Sequence, residues 1–251
     1  MNGLAVDTFA AFESLTETSD NRDFALQIDA DIINNSSFNA KYSRLSCTSL
    51  IVRNPVPARL NRLILDSSFK LQIDYLESLG RELARYKQNG VQKILFDFDL
   101  PSVLQNDEKH ESLKKILAAI KGICFSENIE MELLFRLPFS TMEEFIAPAA
   151  FFRQKSMLGI NYALDLHIHE AGFDREEFAE LLLPLQFDIR TVNFVYDAAL
   201  GNKINPQNLK KLMDFMQGKG ASCNFFLAPS GNISFQAIHD DFQQWMGIST
   251  N

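Results

Sequence analysis

Polar side chains in this chain fall on one parity of short apolar stretches, and those stretches recur between segments of helical spacing. Alternate residues of a strand point to opposite faces. In residues 24–33, Gln27, Asp29 and Asp31 stand opposite Leu26, Ile28 and Ala30; in 47–54, Ser49 and Arg53 stand opposite Leu50 and Val52. Residues 93–100 set Asp97 and Asp99 against Ile94, Phe96 and Phe98, and 130–137 set Glu132 and Arg136 against Met131, Leu133 and Phe135. The clearest case is 160–169, where Asn161, Ala163, Asp165, His167 and His169 oppose Tyr162, Leu164, Leu166 and Ile168. Residues 189–198 place Asn193 and Asp197 against Val192, Phe194 and Tyr196, and 222–228 place Asn224 against Phe225.

Between these strands lie helical segments. The spacing predicts helices over 68–89, 108–126, 141–154 (kinked at Pro148), 174–185, 205–217 and 233–246, with a short N-terminal helix over 3–15. Strands separated by helices of this length imply βαβ units and a parallel sheet. Seven strands and an eighth candidate at 63–66 approach the eight of a closed barrel. We therefore expect one (β/α)8 TIM-type domain over residues 1–251, irregular or incomplete in its N-terminal quarter. No Gly-rich phosphate loop follows the first strand, which argues against a dinucleotide-binding sheet.

Parallel strands covered on both faces usually read as continuous apolar runs. The segregation seen here predicts an apolar parity against the helices and a polar parity lining a lumen. Several polar residues lie toward the C-terminal strand ends, where barrel enzymes build their sites. That many buried charges must pair, bind a metal or meet a wet cavity. A purely structural network, with the aspartates paired to Arg53 and Arg136, is the competing reading.

Composition narrows the function. The net charge of −8 and the lack of a basic cluster argue against a nucleic-acid partner. The first residues lack the charge pattern of a signal peptide, and no apolar run reaches membrane-spanning length, so a cytoplasmic location is expected and no membrane partner. Cys47, Cys124 and Cys223 form no CxxC pair and are expected to be buried small hydrophobes. No G-x-S-x-G motif is present. His167 and His169 form an H-x-H on one strand face, and with Asp165 they are a candidate site for a divalent metal such as Zn, Mn or Mg. His110 and His239 add nothing to that set.

The stretch L-D-L-H-I-H-E-A-G at residues 164–172 resembles the fifth-strand signature of xylose isomerase-like barrels, and V-N-F-V-Y-D at 192–197 is similar to their following H-x-K-D stretch. The resemblance covers roughly residues 60–230 by order of elements. It implies a TIM barrel of the sugar and sugar-phosphate isomerase and epimerase kind, with a metal held by glutamates, an aspartate and histidines. This chain departs from that pattern: Asp165 matches and His167 or His169 matches with a one-residue shift, but Asn193 replaces a histidine, Phe135–Arg136 the first glutamate and Leu227–Ala228 the last. The resemblance thus implies a degenerate metal site in which Arg136 partly stands in.

The leading functional expectation is a sugar or sugar-phosphate isomerase/epimerase-like protein that transfers a proton next to a carbonyl. Asp165, His167, Arg136 and Asp197 are its candidate catalytic residues; Arg53, Asp97, Asp99, Asn193 and Asn224 its candidate substrate contacts. The alternatives are a barrel that binds a small polar ligand or a partner without catalysis, and a metal-dependent hydrolase built on the H-x-H. A homo-oligomer is left open.

Overall fold

We analysed a computed structural model of the chain, which describes residues 2–18, 24–98, 107–137, 159–167, 189–197 and 223–230, with isolated positions between 210 and 218 and between 240 and 244. Eight strands form a closed, all-parallel barrel in chain order: β1 Asn2–Val6, β2 Phe24–Asp29, β3 Cys47–Arg53, β4 Val91–Asp97, β5 Glu130–Leu137, β6 Asn161–His167, β7 Ile189–Asp197 and β8 Asn224–Ser230. The barrel closes where β1 pairs with β8 (Gly3 with Phe226) on one side and with β2 (Gly3 with Ala25) on the other.

The expected alternation sorts the side chains. Leu26, Ile28, Leu50, Val52, Ile94, Phe96, Leu133, Phe135, Leu164, Leu166, Val192 and Phe194 join the main core beneath the helices. The opposite parity fills the lumen in tiers. Nearest the strand starts are Ser49, Lys93, Glu132 and Thr191, all buried. Next comes an apolar tier of Ala25, Ile51, Leu95, Leu134, Ala163 and Phe226. Toward the strand ends stand Gln27, Arg53, Asp97, Asp165 and Asn193, with Ala5, Val195 and Ala228 forming an apolar wall on the β7–β8–β1 arc.

Helices α1 Phe9–Thr18, α2 Ala30–Ile33, α3 Phe38–Tyr42, α4 Ala58–Leu65, α5 Phe69–Gln88 and α6 Asp107–Ser126 pack outside. Leu79, Leu83 and Tyr86 of α5, and Leu113, Ile116, Leu117 and Ile120 of α6, are buried against the strands. Burial of each such aliphatic side chain contributes about 1.5–3 kcal/mol. Phe12 of α1 stacks on Phe38 of α3, with ring centroids 5.2 Å apart. Helix α5 stops at Asn89, and Gly90 follows with φ 82°, a left-handed conformation that glycine adopts without strain. Among the described residues no helix is long and apolar enough to cross a membrane.

The structure corrects the N-terminal quarter. The helix expected over 3–15 is a strand, β1, followed by α1, and this strand completes the barrel. The strand candidate at 63–66 lies in α4 and its C-cap. Its Ile64 and Leu65 are buried while Leu60 and Leu63 are exposed, the pattern of a helix rather than a strand. The strand expected over 24–33 ends at Asp29, and Asp31 sits in α2 outside the barrel. The N-terminal quarter is therefore complete, and its irregularity lies in register shifts between Phe24 and Ala25 and between Leu50 and Ile51 and in the two short helices α2 and α3 that link β2 to β3. Most of the helices expected over 141–154, 174–185, 205–217 and 233–246 lie outside the described residues, Pro148 among them; the described positions within 210–218 and 240–244 are helical.

Candidate functional site

The C-terminal mouth is built from strand ends that carry polar side chains on the lumen parity. Arg53 closes β3, and Asp165 lies near the end of β6. The Arg53 Nη2 donates to Asp165 Oδ2 at 2.8 Å. Asn193 Nδ2, from neighbouring β7, donates to Asp165 Oδ1 at 2.7 Å. A carboxylate only accepts, so Asp165 orients the Asn193 amide with its NH2 inward; this leaves Asn193 Oδ1 to accept from Gln27 Nε2 of β2 at 2.7 Å. Four strands are thereby tied through one carboxylate. Asp165 is 3% exposed, so an unpaired charge there would be costly, and both of its oxygens are satisfied. On the far side of Arg53, Nε lies 4.0 Å from Asp29 Oδ1, a Coulombic contact too long for a hydrogen bond.

Helix α4 is pinned to the same mouth. The buried Asn61 donates through Nδ2 to the backbone carbonyl of Asp97 at 2.8 Å, and Tyr75 of α5 donates its hydroxyl to Asn61 Oδ1 at 2.6 Å. Asp97 itself is buried at the end of β4.

A separate charge cluster occupies the opposite pole. Lys93 makes an ion pair with Glu132 and lies 3.5 Å from Glu130. Burial pushes the Glu132 carboxyl above its usual range, and Lys93 opposes that shift. Burial also pushes the thiols up, to about 12 at Cys47 and Cys124 and about 11 at Cys223. Cys124 and Cys223 are buried as expected, while Cys47 is half-buried.

The structure gathers some of the expected site residues and separates others. Arg53, Asp97, Asp165 and Asn193 share the mouth. His167, the last residue of β6, is exposed there. Asn224 opens β8 and pairs in register with Thr191, so it stands at the opposite pole. Arg136 pairs in register with Asp165, and Asp197 with Ser230, but their side chains, together with Asp99 and His169, lie outside the described residues. Two residues at the mouth had no assigned role, Gln27 and Asp29, although both share the polar parity of β2. Asn61 had no signal, because an asparagine inside a short amphipathic helix looks like a solvated position.

The family resemblance implies a divalent metal at Asp165. The residues described here do not fit one: a guanidinium and an amide NH2 occupy the two carboxylate oxygens, and among the described residues no cluster of His, Cys, Asp or Glu forms a ligand set.

No protein-family model matches the chain, and no curated protein matches its sequence. Solved structures do match. The apo crystal structure of 3-keto-D-glucoside 4-epimerase YcjR from E. coli superposes with a TM-score of 0.65 over 100% of this chain and 99% of that one, at 12% identity. An L-ribulose 3-epimerase matches with a TM-score of 0.59 over 98% of this chain and 87% of that one, at 17% identity. A xylose isomerase domain protein from Alicyclobacillus acidocaldarius matches with a TM-score of 0.60 over the full length of both chains, at 9% identity. The fold these matches share with the chain is the closed (β/α)8 barrel. Identities this low carry the architecture and not the chemistry.

Proposed function

We propose that the C-terminal mouth binds a small sugar or sugar phosphate and moves a proton next to the ligand's carbonyl. The observation that carries this reading is the Arg53–Asp165 pair, capped by Asn193, at the strand ends of the barrel. Such a site offers a fixed cation, hydrogen-bonding groups for hydroxyls, and an apolar wall of Ala5, Val195 and Ala228 on the adjoining β7–β8–β1 arc for the C–H edge of a sugar. The sugar epimerases that share the fold support the ligand class.

In this reading Asp165 does not act as the base, since both its oxygens already accept hydrogen bonds; it orients Arg53. His167, exposed at the end of the same strand, takes the proton. Arg53 stabilises the enediolate oxygen that develops, as a preorganised donor does at other carbonyl sites. Asp97, buried at the end of β4, contributes a carboxylate at the rim. A second reading is favoured by the Gln27–Asn193–Asp165–Arg53 chain, which satisfies both Asp165 oxygens from within the protein: binding of the same ligand class without turnover.

Incubation of ketoses, aldoses and their phosphates with the protein in D2O, followed by 1H NMR, tests the proposal. The expected result is loss of the C–H signal next to the carbonyl, slowed by about 100-fold or more in His167→Gln. Saturable binding without exchange would leave the second reading. Neither binding nor exchange would refute both.

A further inference from the structure

We infer that Arg53 is the resident cation of the C-terminal mouth, and that its guanidinium excludes a divalent ion from Asp165. Three observations converge. First, the guanidinium lies between carboxylates from opposite sides of the lumen, with Nη2 2.8 Å from Asp165 Oδ2 and Nε 4.0 Å from Asp29 Oδ1. Bringing separate carboxylates to one positive centre is the arrangement a bound metal would impose. Second, the remaining Asp165 oxygen faces the Asn193 NH2 at 2.7 Å, a donor where an ion would need a lone pair. Turning that amide over would present its oxygen to a metal but would break the Gln27 Nε2 to Asn193 Oδ1 bond and oblige the buried Gln27 amide to turn with it. Third, β5 sets a second arginine, Arg136, in register beside Asp165, so the strand next door carries no carboxylate at that level.

A divalent ion could reach Asp165 only by expelling Arg53. That side chain is 12% exposed, and a guanidinium cannot shed its charge by deprotonation. Expulsion would strand a buried cation, flip an amide and bring the ion within reach of Arg53 and beside the Arg136 position. The losses are linked because one hydrogen-bonded chain carries them all.

The inference does not depend on the sugar reading and is tested without any sugar. The chelator-stripped, full-length protein is titrated with Mn2+, and free ion is read by electron paramagnetic resonance. In parallel, 1H–15N spectra of the same protein locate any bound ion by paramagnetic broadening. The expected result is an undiminished free-ion signal at equimolar Mn2+, with the backbone amides of Arg53, Asp165 and Asn193 unbroadened. Uptake of one ion per chain that bleaches those amides would overturn the inference. Uptake that bleaches only distant amides places the ion elsewhere and leaves Arg53 as the cation at Asp165. A failure to find any sugar ligand would refute the proposed function and leave this result standing, and the converse also holds.

Discussion

Lys93 and Glu132 meet in one of the least hydrated parts of the molecule, at 7% and 1% exposure, and each is tolerable only because of the other. Replacement Lys93→Met leaves a buried carboxylate facing an apolar stem. We expect a loss of about 3 kcal/mol at neutral pH, read by urea unfolding. The pH dependence has a defined sign. Burial raises the folded-state affinity of Glu132 for its proton, so its contribution to stability is complete below the ordinary glutamate range and declines as pH rises through the raised value. Removing the opposing lysine enlarges that effect, so the deficit of Lys93→Met should shrink on acidification toward about pH 4. A deficit that is constant with pH would mean that packing, not charge, is what Lys93 supplies. At this scale the residue sequence was informative about which side chains enter the lumen and silent about which ones meet. The parity of β3, β6 and β7 identifies Arg53, Asp165 and Asn193. That Arg53 reaches Asp165 from three strands away depends on how the strands stagger around the barrel.

β1 shows what pattern alone misses at the level of elements. Its residues are Asn2, Gly3, Leu4, Ala5 and Val6, with no charge on the lumen parity and a glycine where strands seldom place one. The glycine has a reason visible only in the assembled barrel. A Cβ at Gly3 would sit 2.2 Å from the carbonyl oxygen of Ala25 and 2.5 Å from the ring of Phe226. The small residue makes room for a large one at the paired position of the neighbouring strand. We expect Gly3→Ala to destabilise the fold by about 2 kcal/mol or more, a fall in Tm of about 4–8 °C in a thermal scan. An unchanged Tm would show that β1 can shift freely, contrary to this packing. In α4 the misreading has the opposite origin: Leu63, Ile64 and Leu65 are contiguous and apolar, as in a buried strand. A short apolar run does not distinguish strand from helix until one side of it is seen to be exposed.

For the molecule as a whole, closure is the property that β1 confers. With β1 in place every strand has a neighbour on each side, from β1–β2 around to β8–β1. Deleting residues 2–6 would leave the facing edges of β2 and β8 unpaired and uncover Leu26 and Leu227. Such edges recruit other chains. The truncated protein should therefore elute as large aggregates in size-exclusion chromatography, where the intact chain gives a discrete peak; a discrete, well-folded truncated species would show that β1 is dispensable. The barrel class was readable from the spacing of strands and helices. Its completeness was not, because the strand that completes it is the shortest and least polar of the set.

The hydrocarbon tier of Ala25, Ile51, Leu95, Leu134, Ala163 and Phe226 has a consequence for continuity within the lumen. It parts two polar layers: among the described residues, Gln27, Arg53, Asp97, Asp165 and Asn193 stand above it and Ser49, Lys93, Glu132 and Thr191 below. These six hydrocarbon side chains offer no donor or acceptor, so the hydrogen-bonded chain around Asp165 does not pass through them to the Lys93–Glu132 pair.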